Sequence, residues 1–374
     1  MTTKRKFGKK NKIKINPLAY NIGLIGESGI GKTSTLIEVA EKLVGEDGYM
    51  LLSLGKEDAV DAIANAVYEE VPDWDTFIEI TDDIIENKQT DYKDLQVLIY
   101  DTIDQLFTIA EPHVIALHNK DAKPDKRAKT INAAFGGYGK GGDKVIEIIL
   151  DRIWELKNIG VHMICVGHTK RKTLSDVSTG EEYDMLTTNM SEKYFNAIKT
   201  KLHFLGVASV DRSIEYQKVK QRMGDDKTVG KVKSESRIIT FRDDNFNIDS
   251  KSRFAEITPR INLNADEFIK AMEDAIKIEM AKDKSATGKT IEEVKVEQEK
   301  EYEEKVYQAV EKANDKVDVE RNVELARKIL EKSNEATDEV KQNVIAYMTE
   351  NKVSLKEVEN TSTSVYEATL AQFN

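Results

Sequence analysis

The stretch Gly26-Glu27-Ser28-Gly29-Ile30-Gly31-Lys32-Thr33 limits what this chain can fold into more than any other. It satisfies G-x-x-x-x-G-K-[ST] at every fixed position, and such glycines let successive backbone N–H groups turn inward around a phosphate chain. The flanks supply the context. Asn21-Ile22-Gly23-Leu24-Ile25 reads as a short buried strand, and Leu36, Ile37, Ala40, Leu43 and Val44 fall at helical spacing after Ser34. Strand, loop and helix in that order put the loop at the positive end of a helix. Gly26 to Ser34 is therefore the predicted phosphate cradle, with Lys32 reaching the β- and γ-phosphates and the Thr33 hydroxyl holding Mg²⁺.

At 374 residues the chain is long enough for about two or three domains. Its one cysteine, Cys165, lies in an apolar run, so no disulfide framework exists and a reducing cytoplasm is expected. No apolar stretch approaches the ~20 residues of a membrane span, and the N-terminus lacks a signal peptide's apolar core. A soluble protein with no membrane partner is the expectation. The net charge of −11 is unevenly placed. Residues 1–14 carry seven basic side chains and no acid, while residues 263–374 hold 17 basic and 26 acidic ones. Acidity argues against a whole-surface nucleic-acid binder; the basic arm fits a polyanion contact or a solubilising tail.

Three further apolar runs read as strands: Tyr49–Leu54, Leu95–Asp101 and Val161–His168. Between them fall helical patterns: one from Asp58 to about Glu70, one over Trp74–Glu86, one from Thr102 and one over Asp143–Asn158. Strands alternating with helices predict an α/β fold with a mostly parallel sheet flanked by helices. Two stretches lose periodicity, His118–Lys144 and Thr169–Met190. Lys201–Val210, Ser213–Val219 and Arg237–Arg242 read as later strands, the last two a hairpin. Beyond Asn262 the chain turns to helix formers. The predicted division is a basic arm over 1–15, a core over 16–262 and an acidic helical region over 263–374. Gly288-Lys289-Thr290 mimics the end of the phosphate motif, but Asp283 stands where its first glycine belongs.

The Leu95–Asp101 strand ends in a carboxylate, the form that holds the Mg²⁺ water shell; Asp101 equally fits a cap for the helix that follows. Asp104 reads as a first-turn helix acid. A GTPase carries D-x-x-G after this strand, but Thr102-Ile103-Asp104 follows Asp101. Asn119-Lys120-Asp121 falls one position short of the guanine motif, so a GTPase is disfavoured.

The order of phosphate loop, strand ending near Glu57, strand ending at Asp101 and strand ending at His168 resembles the RecA-like ATPase core. Tyr138-Gly139 before a helix, Gly160-Val161-His162 leading to Gly167-His168, and Lys251-Ser252-Arg253 resemble phage-encoded RecA-like single-strand annealing proteins over roughly residues 16–262. The resemblance implies ATP with Mg²⁺, Glu57 (or its neighbour Asp58) polarising the attacking water, and His168 sensing the γ-phosphate where bacterial relatives use Gln. It also implies single-stranded DNA held by the loops after the third and fourth strands. Phe135 and Tyr138 lie among glycines in the first. Lys140, Lys170, Arg171, Lys172, Lys251 and Arg253 are the cations for DNA phosphates or a neighbour's nucleotide. Partners would be DNA, further copies in an oligomer or filament, and a single-strand-binding or other recombination protein. The rival reading is a nucleotide-gated switch that uses the acidic helical tail to bind a protein.

Overall fold

Strand β1, Ile22–Gly26, is buried along its whole length because a parallel strand has neighbours on both edges and helices on both faces. In the computed structural model, which describes residues 11–56, 63–175, 179–219, 227–242, 249–282, 290–314, 319–351, 353–355, 358 and 361–373, it lies inside one large sheet. The path is β10-β8-β7-β1-β5-β4-β2-β3. The members are β2 (Tyr49–Leu54), β3 (Tyr68–Val71), β4 (Val97–Asp101), β5 (His162–Ser175), β7 (Phe204–Val219), β8 (Lys227–Thr240) and β10 (Arg260–Asn262). β6 (Glu182–Thr188) pairs off the path with β5, and β9 (Lys251–Ser252) with β7. The pairs of β1 with β5 and β7, β4 with β5 and β2, and β2 with β3 are parallel. The mostly parallel sheet expected of the sequence is present. β5 separates the phosphate-loop strand from the strand ending in Asp101.

Helix α1 (Lys32–Val44) and helix α6 (Ala265–Ala281) cover one face. Leu36, Val39 and Ala40 of α1 join Phe268, Met272 and Ile276 of α6 over Leu24, Leu51, Ile99, Ile164 and Phe204 in one core. Adjacent residues of a strand point to opposite faces. Ile99 thus belongs to that core, while Tyr100 meets Phe77 at the start of α2 (Trp74–Glu86). Helices α3 (Ile103–Asp121), α4 (Lys140–Asn158) and α5 (Glu192–Lys199) follow in the connections on either side of β5. Cys165 is buried in β5, and burial pushes its thiol up to about 12, so it is inert.

The chain forms two units: residues 1–79 with 94–300, and residues 80–93 with 301–374. The second contains α8 (Val319–Glu335), α9 (Asp338–Glu350) and α10 (Thr363–Ala371), with its own core of Leu325, Ala326, Ile329, Val358 and Tyr366. Helix α7 (Ile291–Asn314) runs through the boundary. Composition groups α6 with the acidic region, but its apolar face packs in the core of the first unit.

Four local expectations differ from the structure. The helix expected to reach Glu70 gives way to β3, where Tyr68 to Val71 pair in register with Leu51 to Leu54; edge pairing outweighs the local helical spacing. His118–Lys144 is not structureless. α3 runs to Asp121, 3₁₀ turns occupy Pro124–Lys126 and Ile131–Gly136, and α4 begins at Lys140. Asn119 clasps Ala128 from both sides, donating to its carbonyl at 2.9 Å and accepting from its N–H at 2.7 Å. Thr169–Met190 holds a regular hairpin, in which Thr169 to Ser175 pair antiparallel with Thr188 to Glu182. Finally, Lys201–Val210 and Ser213–Val219 merge into the single strand β7.

Candidate nucleotide-binding site

The phosphate loop links β1 to α1 at the carboxyl edge of the parallel strands. Its first glycine is required by packing: a Cβ at Gly26 would sit 2.7 Å from the Ala208 carbonyl oxygen on β7. Gly31, the N-cap of α1, has φ +109°, a conformation that side chains resist. Lys32 is buried, and its Nζ donates to the Glu27 carbonyl at 2.9 Å, so the side chain folds back across the loop. The Thr33 hydroxyl donates to Asp101 Oδ2 at 2.8 Å. A hydroxyl and a buried carboxylate side by side are the oxygen donors that Mg²⁺ takes alongside substrate phosphates. Among the described residues no cluster of three His, Cys, Asp or Glu side chains could hold a metal. The Thr33 hydroxyl and the Asp101 carboxylate fit a cation that bridges to phosphate.

His168 stands on β5 in register with Gly26. Its Nδ1 lies 3.4 Å from Asp104 Oδ2 at the start of α3. Burial opposes ionisation of Asp104, but the hydrogen bond from His168 and its charge outweigh it, leaving the carboxyl below the usual range. The Thr102 hydroxyl also bonds the Asp104 carboxylate and helps to hold it low, and the other carboxylate oxygen, Oδ1, is buried. Lys32, Thr33, Asp101 and His168 thus stand at one edge of the sheet, and Asp104 joins them. Glu57 and Asp58, the predicted water-polarising acids, lie outside the described residues, as does most of the basic arm.

The predicted cations scatter. Arg171 Nε donates to Glu27 Oε1 in the phosphate loop at 3.3 Å, while Lys170 and Lys172 stand exposed beside it on β5. Lys140 is exposed at the first turn of α4, after Tyr138, which is fully exposed with φ +53°. Phe135 instead lies against His118, with ring centroids 5.1 Å apart. Lys251 donates to the Lys199 carbonyl at 2.6 Å, and Arg253 to that of Thr200, capping the end of α5. Lys251 lies in β9 and Arg253 just after it, and Ser252 aligns with Phe204, the residue opposite Ile22. That is the sheet edge away from the phosphate loop.

One arginine at the site escaped sequence reading. Arg237, on β8, donates from Nη1 to the Ile30 carbonyl in the loop at 3.1 Å. It lies 207 residues from its partner, and no local pattern marks it. Only the pairing of β8 with β7, and of β7 with β1, brings it there.

Among solved structures, the chain is similar to an ATPase from the type III secretion system of pathogenic bacteria, at 12% identity and TM-score 0.28, with 50% of each chain covered. It therefore spans half the length of that protein. It is also similar to the flagellar accessory protein FlaH of Methanocaldococcus jannaschii, at 13% identity and TM-score 0.25, covering 62% of this chain and 81% of that one. No curated protein matches the sequence. A family model described as an AAA domain matches residues 18–254, from the 3₁₀ turn before β1 to just past β9. That match takes in more than half of the chain and every part of the phosphate site: the protein belongs to the AAA-domain family and carries a P-loop ATPase domain.

Proposed function

We propose that the protein binds and hydrolyses ATP with Mg²⁺, binds single-stranded DNA and promotes annealing or strand exchange. It would work as an oligomer in the cytoplasm of a phage-infected bacterium. The observation that carries the DNA half is the placement of two antiparallel ribbons, β5–β6 and β7–β8. Both grow from the sheet edge that bears the phosphate loop, and each returns an arginine to it: Arg171 to Glu27 and Arg237 to Ile30. A polyanion that engages these arms would act on the loop directly.

At the catalytic edge Lys32 neutralises charge on the transferred phosphate, and Thr33 and Asp101 hold the cation. Mg²⁺, when bound, supplies electrostatic stabilisation of phosphate oxygens. His168, steadied by Asp104, presents a hydrogen-bond donor where the γ-phosphate is expected, and Glu57 or Asp58 would orient water. DNA binding is tested by fluorescence anisotropy with a labelled oligodeoxythymidine over a salt series. The expected result is binding at low salt that weakens steeply as salt rises. No binding at low salt would overturn the DNA half. The helical unit's separate core supports the alternative, a nucleotide-gated protein-interaction switch. ATP-dependent hydrogen-exchange protection across Val319–Ala371 without any DNA binding would favour it.

A further inference from the structure

Past Ala208, β7 has no further partner in β1, which ends at Gly26, and β10 pairs only with Ile238 to Thr240 of β8. From there to Val219 and Lys227 the β7–β8 arm is a ribbon paired with itself. A ribbon without a second layer cannot bury its side chains. On one face Ile214, Tyr216 and Val232 are 49%, 71% and 51% exposed. They form one patch: Ile214 lies opposite Val232, and Tyr216 opposite Gly230. A Cβ at Gly230 would come within 2.9 Å of Ile214 Cγ2 and 3.6 Å of Tyr216 Cε1, so the glycine leaves the patch flat.

Alternation along β7 puts Arg212 and Val210 on the same face, nearer the sheet. Arg212 Nε donates to Glu235 at 2.8 Å, its guanidinium also feels the Glu27 charge, and Val210 lies opposite Arg237. Aromatic ring, aliphatic pair and two arginines thus lead from the arm to the phosphate loop. From Val210 to Arg237 inclusive the sequence holds eight basic and five acidic residues, in a chain of net charge −11.

We infer that this face of the β7–β8 arm is a contact surface for single-stranded nucleic acid, with Tyr216 as the stacking platform and Arg212 and Arg237 serving the phosphates. It rests on the DNA reading above and names where that contact is made. A flat ring among cations suits an unpaired base, whose stacking is indifferent to sequence. The local positive charge attracts a polyanion.

The test compares the full chain with Tyr216→Ala and Tyr216→Phe, using labelled oligodeoxythymidine at low salt. Tyr216→Ala should raise Kd roughly 5- to 150-fold, the range that one stacked base is worth. Tyr216→Phe should hold it within about twofold, and neither should move the thermal midpoint, since the ring is exposed. Equal binding by wild type and Tyr216→Ala overturns the surface assignment and leaves the DNA reading standing. No binding by the wild type overturns both. Loss of self-association by sedimentation in Tyr216→Ala, with DNA affinity unchanged, overturns the assignment in favour of a copy-to-copy interface.

Discussion

At the residue scale, two histidines that take no part in the phosphate site contribute to the response to acid. Burial first, then the charges of Lys157 and Lys14, push His162 down to about 3. Burial, with Arg253, Lys157 and Lys251 adding to it, pushes His203 down to about 4, and His203 Nδ1 accepts from the Asn21 N–H at 3.1 Å. A histidine whose folded pKa lies below its unfolded value of about 6.5 binds protons more readily in the unfolded chain. Its stabilising contribution is complete above pH ~6.5 and falls away as the pH drops toward the folded value. The slope is about 1.4 kcal/mol per pH unit for a fully buried histidine such as His162, and less for His203, which water screens. Urea midpoints should therefore fall between pH 7.5 and 5, and His203→Asn should flatten that fall. A midpoint independent of pH in this window would contradict the assignment.

At the scale of elements, the ribbon β5–β6 is joined to the phosphate loop by one exposed ion pair, Arg171 with Glu27. Such a pair contributes only ~0–1 kcal/mol to stability, so removing it should leave the fold intact. Its effect belongs to coupling. Glu27→Gln and Arg171→Gln are each expected to reduce the ratio of DNA-stimulated to basal ATP turnover by several-fold, with little change in thermal midpoint. A ratio equal to wild type in both variants would show that the arm does not signal through this contact. These elements also mark how far the sequence could be read. The phosphate loop and Asp101 were legible because their chemistry is encoded in contiguous residues with fixed spacing. β5 was legible as far as His168, where its apolar run ends. Of the ribbons, β7–β8 was legible in part, as a hairpin of Ser213–Val219 with Arg237–Arg242, while β5–β6 was not, because Lys170 to Thr173 is polar throughout and lacks the alternation of a half-buried strand. Arg237 carries no local signal, and the Asp104–His168 contact depends on β4 and β5 lying side by side. Lys251 and Arg253 match a motif in order, yet β9 places them at the opposite edge from the loop.

For the whole molecule, composition and packing draw the boundary in different places. Charge changes after Asn262, but Phe268, Met272 and Ile276 bury α6 in the core of the first unit, which extends to Lys300. A truncation at residue 263 would strip that core, so the helical unit beyond has to be probed by surface substitution. Among the described residues no helix is long and apolar enough to cross a membrane. In the proposed function one site, built from Lys32, Thr33 and Asp101, hydrolyses ATP under the control of the arms. The most direct test is steady-state ATP turnover of the full chain at low salt, with and without single-stranded DNA, beside Lys32→Ala. The account predicts turnover that rises with DNA in the wild type and falls roughly 10²- to 10³-fold in Lys32→Ala under both conditions. Turnover retained by Lys32→Ala would contradict the site, and wild-type turnover indifferent to DNA would contradict its control by the arms.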